Sequence, residues 1–378
     1  MPDLVILNQE ANYLTTGLAN SFKGRFNSVT LLVGVLYSQG EPLDADVKIV
    51  SIKRMSERPS WKKAWSYLVA LVQMWWLLMT RFRQHEVLFV SVPPMGYLLN
   101  LLLPHRFSMV IWDLYPDTFK VTGMTEHHPL YRFWGWLNRK SFRKAYRVFT
   151  IGEVLADAIA KYVDRNKLKV HPIWSMYDKR ERVPRDKNLF IKQHELQDKF
   201  IVQYSGNIGV THNVELMIDL AEEFKANPRI LFQIIGRGPR LQVIEDLVKV
   251  RSLPNVQFLP FQSEEIFPHS ISAADLGVVI LNDKVSRGSV PSKAYNLMSF
   301  GIPSLYISSP DSQLAIDARR YGHARCFSAS QQSAMVDFIN QISQSSELRV
   351  LMSQAARKAS DDYLPRNSVK FVESYFAN

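Results

Sequence analysis

The chain has 378 residues, of which 47% are hydrophobic and 21% are charged, and its formal net charge is +11. This length is enough for two ordinary domains, and the composition excludes a disordered or fibrous chain. The single cysteine, Cys326, excludes an internal disulfide and favours a reducing compartment. The apolar run Leu4–Leu7 is too short for a secretory signal. We therefore expect a cytoplasmic protein.

The charge is distributed unevenly along the chain. Residues 1–188 hold 27 Lys and Arg against 16 Asp and Glu, whereas residues 189–378 hold 19 of each. Basic residues together with tryptophan are typical of a surface that meets anionic lipid, and an ordinary basic surface over a Trp-rich core is the alternative. Nucleic-acid binding is not expected, because no recognition motif accompanies the charge. The eight tryptophans all lie in the first half: Trp61, Trp65, Trp75, Trp76, Trp112, Trp134, Trp136 and Trp174.

Short apolar runs alternate with helical stretches in the first half of the chain. The runs are apolar or β-branched throughout, as buried parallel strands are. The predicted strands are Leu4–Leu7, Ser28–Val33, Val47–Ile52, Val87–Val90, Met109–Trp112 and Arg147–Ile151. The predicted helices lie near 14–24, 61–83, 129–144 and 153–163. This alternation predicts a doubly wound α/β sheet.

The alternation lapses between Asp178 and Asp198, where the sequence is charged and weakly periodic, and we expect the connection between two domains there. Beyond it, the predicted strands are Phe200–Ser205, Ile230–Ile235, Val256–Leu259, Leu276–Ile280 and Ser304–Ile307. The predicted helices lie near 213–226, 239–251, 264–273, 292–300 and 367–376. The predicted domains are therefore 1–180 and 190–363, followed by a C-terminal helix within 364–378.

Two helical stretches of the first half combine aromatic and basic residues. The first, Trp61–Arg83, is flanked by cations, and Gln73 interrupts its apolar run. A membrane span needs roughly 20 apolar residues, so a buried helix or a helix at the membrane interface is favoured over a span. The second, Tyr131–Lys144, has several cations and no acidic residue. It is a candidate for lying among lipid headgroups, with packing of its aromatic rings in the core as the alternative.

Two glycine-containing turns follow predicted strands in the second half, Gly206-Asn207-Ile208-Gly209 and Gly236-Arg237-Gly238-Pro239. Glycine lets a backbone approach a diphosphate closely, and the N-terminus of the next helix adds partial positive charge. A simple tight turn is the alternative in each case. Arg237 and Arg240 are either phosphate ligands or solvated surface charges.

The most informative stretch is Pro291–Pro303, which reads Pro-Ser-Lys-Ala-Tyr-Asn-Leu-Met-Ser-Phe-Gly-Ile-Pro. Ser292 is predicted to cap a helix. Lys293 then lies in the first turn, where a cation opposes the helix dipole, so an anion is expected beside it. Asn296 lies one turn on, on the same face. Because ligands of open α/β sheets bind at the carboxyl ends of the strands, the three turns together predict a sugar-nucleotide site.

These motifs make the chain similar to bacterial glycosyltransferases of the GT-B fold, in the family-4-like group that builds O-antigen, capsule or exopolysaccharide. The resemblance covers most of the chain. It implies two Rossmann-like domains facing each other across a cleft, with the C-terminal helix returning to the first domain. The matching stretches are Ser91–Pro94, Trp112–Asp117, Tyr204–Gly209, Gly236–Pro239, Phe258–Phe261, Ala273–Gly277 and Val290–Pro303.

The resemblance also implies where ligands bind. A nucleotide-sugar donor, most often a UDP-sugar, lies against the second domain, and Asp113 of the first domain is the candidate catalytic or orienting carboxylate. No metal or other cofactor is expected, because helix N-termini and cations neutralise the leaving diphosphate. The candidate donor-binding residues are Gly206, Asn207, Gly209, Arg237, Phe261, Arg287, Ser289, Ser292, Lys293 and Asn296.

The chain departs from this family where relatives carry two glutamates, because Gly288 and Asn296 stand at those positions. Asn296 can still hydrogen-bond a ribose as a neutral group, whereas Gly288 supplies no side chain. The expected activity is transfer of a hexose-type sugar from a UDP-sugar to a lipid-linked or glycan acceptor, with retention of configuration. We expect it at the inner face of the cell membrane, on an anionic lipid surface.

Two other functions stay open. A non-catalytic scaffold of a polysaccharide-assembly complex fits the missing glutamates and the basic first half. A sugar-nucleotide epimerase on the same architecture needs carboxylates and histidines that converge, and Asp113, Asp117, His127 and His128 are the candidates for that role.

Overall fold

The computed structural model describes residues 1–37, 40–56, 59–209 and 212–377, and the chain divides into two compact units. Each unit is built on a parallel β-sheet with helices around it, so the predicted α/β fold class is confirmed. The first unit comprises Met1–Met176, Gly288–Val290 and Pro365–Asn378, and the second comprises Tyr177–Arg287 and Pro291–Leu364.

The strands of the first unit follow the predicted apolar runs closely. In chain order they are β1 (Leu4–Leu7), β2 (Glu10–Ala11), β3 (Val29–Val33), β4 (Val35–Leu36), β5 (Lys48–Ser51), β6 (Glu86–Val90), β7 (Phe107–Ile111), β8 (Val148–Thr150) and β9 (Leu168–Val170). One parallel sheet has the order β5-β3-β1-β6-β7-β8-β9, and β2 pairs with β4 apart from it. The strands β1, β3, β6, β7 and β8 are buried throughout, which explains their uniformly apolar sequence.

The helices of the first unit lie on both faces of this sheet. They are α1 (Tyr13–Phe22), α2 (Ser60–Met79), α3 (Pro129–Lys144) and α4 (Glu153–Ala160), with 3₁₀ turns at Gly96–Leu101, Asp117–Thr122 and Arg165–Lys167. Crossovers between parallel strands are right-handed. Because α2, α3 and α4 all connect strands in one direction across the sheet, they share one face, and α1 lies on the other.

The second unit has a parallel sheet in the order β12-β11-β10-β13-β14-β15, with strands β10 (Phe200–Ser205), β11 (Ile230–Ile235), β12 (Val256–Leu259), β13 (Leu276–Ile280), β14 (Ser304–Ile307) and β15 (Ala324–Phe327). The first five match the predicted strands residue for residue, and β15 was not predicted. The strand order reverses between β10 and β13, which is the topological switch point where ligands of such sheets bind.

The helices of the second unit are α5 (Leu189–Gln193), α6 (Glu215–Glu223), α7 (Leu241–Arg251), α8 (Phe267–Ala273), α9 (Lys293–Ser299), α10 (Gln313–Tyr321), α11 (Gln332–Gln344) and α12 (Ser346–Ala359), with 3₁₀ turns at Arg185–Lys187 and Ser360–Asp362. The short helix α5 lies inside the segment expected to connect the domains. The Asn188 side chain caps it by accepting from the backbone of Phe190 and Ile191. Both of these side chains are buried in one cluster with Ile201, so this part of the segment belongs to a core.

The chain returns to the first unit in α13 (Asn367–Phe376), which packs on α1. Tyr375 is fully buried, and its ring centroid lies 5.4 Å from that of Phe22 and 5.8 Å from that of Phe26. The Ser21 hydroxyl also donates a hydrogen bond to Ser368 (2.7 Å). The return of the C-terminal helix, which the resemblance implied, is confirmed.

The helix α2 buries only a narrow stripe of Ser66, Ala70, Met74 and Leu78, spaced as one face of a helix. It is therefore not a buried core helix. In the part of the chain that the structure describes, no helix is both long and apolar enough to cross a membrane. The exposed large apolar side chains of α2 are Trp61, Trp65, Leu68, Val72, Trp75, Trp76 and Met79.

The two glycine turns of the second unit pack backbone against backbone. Gly236 has φ +149°, and a Cβ atom there would lie 1.9 Å from the carbonyl oxygen of Gly206. A Cβ atom at Gly238 would lie 2.3 Å from the carbonyl oxygen of Ile208. The glycines of the second turn are thus required by the packing of the first turn, which positions the backbone of residues 206–208.

We expect Gly236→Ala to lower the free energy of unfolding by about 3 kcal/mol or more, because backbone strain and a backbone clash coincide. Gly322→Ala is the matched control. Its φ is +73° with no atom within 4 Å of the new Cβ, so only the conformational cost of about 1 kcal/mol applies. Thermal denaturation checks both variants. Equal melting temperatures would contradict the packing described here.

Candidate functional site

Lys293 is the first residue of α9, and its ammonium lies against the glycine turn after β10. Its Nζ donates a hydrogen bond to Tyr204 Oη (2.8 Å) and lies 4.1 Å from the centre of that ring. Tyr204 is buried, and its hydroxyl donates in turn to the carbonyl oxygen of Asn207 (2.7 Å). No carboxylate pairs with Lys293 among the described residues, and burial lowers the pKa of its ammonium to about 7. The site thus has a cation without a counter-ion.

The surroundings of this ammonium are neutral. Burial, together with the nearby charge of Lys293, lowers the pKa of His212 to about 3, so the imidazole is uncharged at physiological pH. A Cβ atom at Gly206 would lie 3.1 Å from Lys293 Nζ, so any larger residue there would cover the ammonium. An enclosed cation among neutral groups is stabilised when an anion joins it.

Of the predicted loop residues, Gly206 lies directly against Lys293, and the carbonyl oxygen of Asn207 is linked to it through the Tyr204 hydroxyl. Asn207 is exposed, and Gly209 lies next to the His212 ring, with Nδ1 3.5 Å from its Cβ position. Sequence reasoning assigned no role to Tyr204. Its position before the glycine turn was a signal that could have found it, because a tyrosine so close to the strand end can reach the loop with its hydroxyl.

Ser292 lies at the predicted N-cap position of α9, but it does not cap the helix with its side chain. Its backbone is already helical, with φ −62° and ψ −21°, whereas a capping serine needs an extended backbone. Its carbonyl oxygen instead accepts from the backbone of Tyr295 and Asn296, and this interaction starts the helix.

The remaining donor-binding candidates divide into two groups. Arg237 is exposed and has no ion pair within the described part of the chain, and Phe261 beyond β12 is 50% exposed. By contrast, Arg287 pairs with Asp311 (3.5 Å), and Arg240 Nε donates to Glu215 (2.6 Å). Arg240 is thus a structural residue, whereas Arg237 and Phe261 are available to a ligand. Asn296 is partly buried, one turn after Ser292.

Asp113 and Ser289 lie together in the first unit. Ser289 donates a hydrogen bond to the Asp113 carboxylate, and burial raises the pKa of that carboxyl group. The Leu114 N–H also donates to the carbonyl oxygen of Gly288 (3.1 Å). Next to them, the buried indole N–H of Trp112 has no partner among the residues that the structure describes. Ser289, predicted to bind donor, thus contacts the candidate catalytic carboxylate.

Two of the four residues that an epimerase would need, Asp117 and His128, are engaged in other interactions. Although burial raises the pKa of Asp117, Lys161 and Lys120 hold it below its usual value, at distances of 2.6 and 3.1 Å. His128 Nδ1 accepts from the Leu130 N–H and caps α3. These residues have structural roles. In the described ranges, no group of three His, Cys, Asp or Glu is placed to hold a metal ion.

Residues 186–359 match the protein-family model described as glycosyl transferases group 1. The chain carries a group 1 glycosyltransferase domain. Over 207 residues it is 28% identical to WcaI of Escherichia coli strain K12, which is described as a colanic acid biosynthesis glycosyl transferase. That match covers 54% of this chain and 51% of WcaI. The chain spans about half the length of the curated relatives it matches.

Solved structures match this chain over 99% of its length. Anabaena HepE, in complex with UDP and glucose, has a TM-score of 0.74 at 12% identity and covers 99% of both chains. WaaG, a glycosyltransferase involved in lipopolysaccharide biosynthesis, has a TM-score of 0.74 at 12% identity and covers 99% of this chain and 100% of WaaG. At this identity the likeness shows the fold, and the GT-B fold of two Rossmann-like halves is confirmed.

We expect Lys293→Met to raise the melting temperature of the ligand-free protein at pH 6. The pKa of Lys293 is lowered from 10.5 to about 7 on folding, so the folded state disfavours the charged form. That cost is complete below pH 7 and falls as the pH rises from 7 to 10.5. The gain from methionine should therefore shrink towards pH 10.

Thermal denaturation between pH 6 and pH 10 measures this difference. Lys284→Met, at an exposed position of the same unit, is the control and should show no such trend. A Lys293→Met variant that is less stable than wild type at pH 6 would show that the ammonium is satisfied without a ligand.

Proposed function

We propose that this chain transfers a hexose-type sugar from a UDP-sugar to a hydroxyl acceptor, without a metal ion. The observation that carries the proposal is the ammonium of Lys293, enclosed by neutral groups beside the glycine turn of the group 1 domain. A diphosphate supplies the missing negative charge. UDP is the nucleotide bound in the HepE structure, which supports the same nucleotide here.

In this proposal, the protein neutralises the leaving diphosphate with Lys293. The bound anion raises the pKa of the ammonium, so the lysine takes up a proton as donor binds. The protonated lysine then stabilises the charge that develops on the diphosphate as the glycosidic bond breaks. Arg237 offers a second cation, and the half-exposed ring of Phe261 offers a stacking surface for the base.

Asn296 is proposed to hydrogen-bond the ribose in place of a carboxylate. Its amide is neutral and has a single acceptor oxygen, so this contact is weaker than the charge-assisted bond of a glutamate. Gly288 adds no side chain. The donor is therefore held mainly through its diphosphate and base, which makes Lys293 more important than it would be beside two glutamates.

Asp113 is proposed as the carboxylate that orients or deprotonates the acceptor hydroxyl. Burial raises its pKa, and the hydrogen bond from Ser289 favours its ionised form, so it is placed to accept a proton. The unpaired N–H of Trp112 offers a donor to a sugar oxygen beside it. Retention of configuration is inferred from the resemblance to the family-4-like group.

The acceptor is proposed to be a lipid-linked sugar or a growing glycan at the inner face of the cell membrane. The exposed face of α2 supports this, because three of its tryptophans are 60% or more exposed. Tryptophan and flanking cations favour the interface of an anionic bilayer. The first half of the chain also carries the whole positive net charge.

The non-catalytic scaffold stays the second candidate, because Gly288 and Asn296 replace both glutamates of the related enzymes. The same fold without donor binding would still present a basic, tryptophan-bearing surface. Nucleotide binding separates the two functions.

We expect UDP, in a panel with GDP, ADP, CMP and dTDP, to raise the melting temperature of the purified protein. Lys293→Met should weaken UDP binding at least tenfold, because a charge-assisted hydrogen bond contributes about 1.5–3 kcal/mol. Lys284→Met should bind UDP like wild type. No shift with any nucleotide at millimolar concentration would favour the scaffold.

We expect Asp113→Asn to reduce release of UDP from UDP-hexoses by about a hundredfold or more while leaving the UDP-induced thermal shift unchanged. Asp157→Asn, at an exposed position of α4, is the control and should retain full activity. Product analysis without acceptor adds a check, because a changed sugar nucleotide would indicate an epimerase.

A further inference from the structure

A cavity of about 690 Å³ opens on the outer side of α3, in the first unit. Its wall contains the cations Arg132, Arg139 and Lys161 and the single carboxylate Glu126. Aromatic side chains form much of the remaining wall. The cavity belongs to neither of the two clusters described above, the one around Lys293 and the one around Asp113.

Two of the four charged groups in this wall are already paired, and the other two, both cations, are not. Lys161 Nζ lies 2.6 Å from a carboxylate oxygen of Asp117, and Glu126 lies 2.6 Å from Lys120 Nζ. Within the ranges that the structure describes, neither Arg132 nor Arg139 has an acidic partner; Arg139 lies only over the ring of Tyr162, at 5.8 Å. The cavity therefore has an excess of two guanidinium groups.

Arg132 and Arg139 lie on either side of Gly135, which lines the cavity and has no side chain to fill it. Arg132 and Arg139 are seven residues apart, which places them on one side of α3, roughly 10 Å apart along its axis. Gly135 lies between them, and a Cβ atom there would meet only Tyr162, at 3.4 Å. Glycine weakens a helix interior, and at this position it leaves the cavity unfilled.

The rim of the cavity is apolar and exposed. Phe133 and Trp136 are 55% and 46% exposed, and their rings stack at 5.9 Å. Lys140 Nζ lies 3.9 Å from the Trp136 ring. Exposed aromatic rings beside cations are typical of side chains at headgroup depth. In addition, α3 lies on the same face of the sheet as α2. The outer side of α2 is apolar and exposed.

We propose that this cavity binds the phosphate headgroup of an anionic lipid. Arg132 and Arg139 pair with the phosphate oxygens, which planar guanidiniums can do with two hydrogen bonds each. Phe133 and Trp136 contact the glycerol and acyl boundary above it. The proposal deepens the membrane part of the proposed function and rests on it, by placing a defined headgroup site beside the apolar face of α2.

The first test fills the cavity without changing the charge. In co-sedimentation with phosphatidylcholine vesicles containing one-fifth phosphatidic acid, Gly135→Leu should lower vesicle affinity at least tenfold. Gly135→Ala is its control, because the added methyl group makes an ordinary contact with Tyr162 and leaves the cavity open. Its affinity should stay within about twofold of wild type. Vesicle binding by Gly135→Leu at the wild-type level would overturn the proposal.

The second test separates the site from diffuse attraction and does not depend on the fold of the leucine variant. The pair Arg132→Gln and Arg139→Gln is compared with Arg83→Gln and Arg143→Gln, which removes the same charge from exposed positions outside the cavity. The first pair should lose at least tenfold more affinity than the second at 0.15 M salt. Equal losses would mean that binding is non-specific electrostatics.

Two further arms identify the source of the phosphate. Inorganic diphosphate, titrated by calorimetry into the Lys293→Met variant so that the proposed donor site does not contribute, should bind at least a hundredfold more weakly than the vesicles bind that variant. Binding of equal strength would overturn the assignment to lipid, and so would an oligonucleotide that binds through the same arginines while vesicles do not. The UDP thermal shift of every cavity variant should match wild type. If the wild-type protein binds vesicles but does not bind UDP, the proposed sugar transfer is contradicted and the proposed lipid site is not.

Discussion

The second unit depends on a lysine that is enclosed without a negative partner. Removing a cation from water is costly unless another charge or strong hydrogen bonds compensate. Lys293 has only the Tyr204 hydroxyl and the face of its ring. The neighbouring His212 stays neutral, so it adds no repulsion, and Gly206 places no side chain against the ammonium. In the proposed function an anionic ligand relieves this cost, and the glycine turn after β10 lies directly beside the ammonium.

The first unit also contains a buried ionisable group, in this case a carboxyl group. Its Asp113 carboxylate is also taken out of water and has Ser289 as a hydrogen-bond donor. A few positions later, Asp117 is fully compensated by two lysines and a tyrosine. Two carboxylates in one short stretch thus differ in their environment. Asp113, whose partner is the Ser289 hydroxyl, is suited to accepting a proton. Asp117, which is paired with lysines, holds α3 and the residues after α4 together.

The strands were predictable because burial on both faces leaves a uniform apolar run, and five strands of the second unit agree with the structure residue for residue. The helix α5 was not predictable, because its five residues are too few to show a helical period. The Ser292 cap failed because the cap depends on a backbone conformation that residue type alone does not determine. The contact between Asp113 and Ser289 joins residues far apart in the sequence, which no local pattern predicts. The cavity at Gly135 depends on which residues from other parts of the chain, such as Tyr162, surround the glycine. That is also a tertiary property.

The packing of α13 on α1 has a consequence for synthesis on the ribosome. Phe22 and Phe26 are covered by Tyr375, and the Tyr375 hydroxyl also donates to Glu86, the first residue of the central strand β6. The first unit therefore cannot close its core when β9 emerges, because α13 is translated about 200 residues later. Domains usually fold in the order in which they are made. Here the unit that begins first is completed last, because Phe22 and Phe26 have no Tyr375 to cover them until α13 is made.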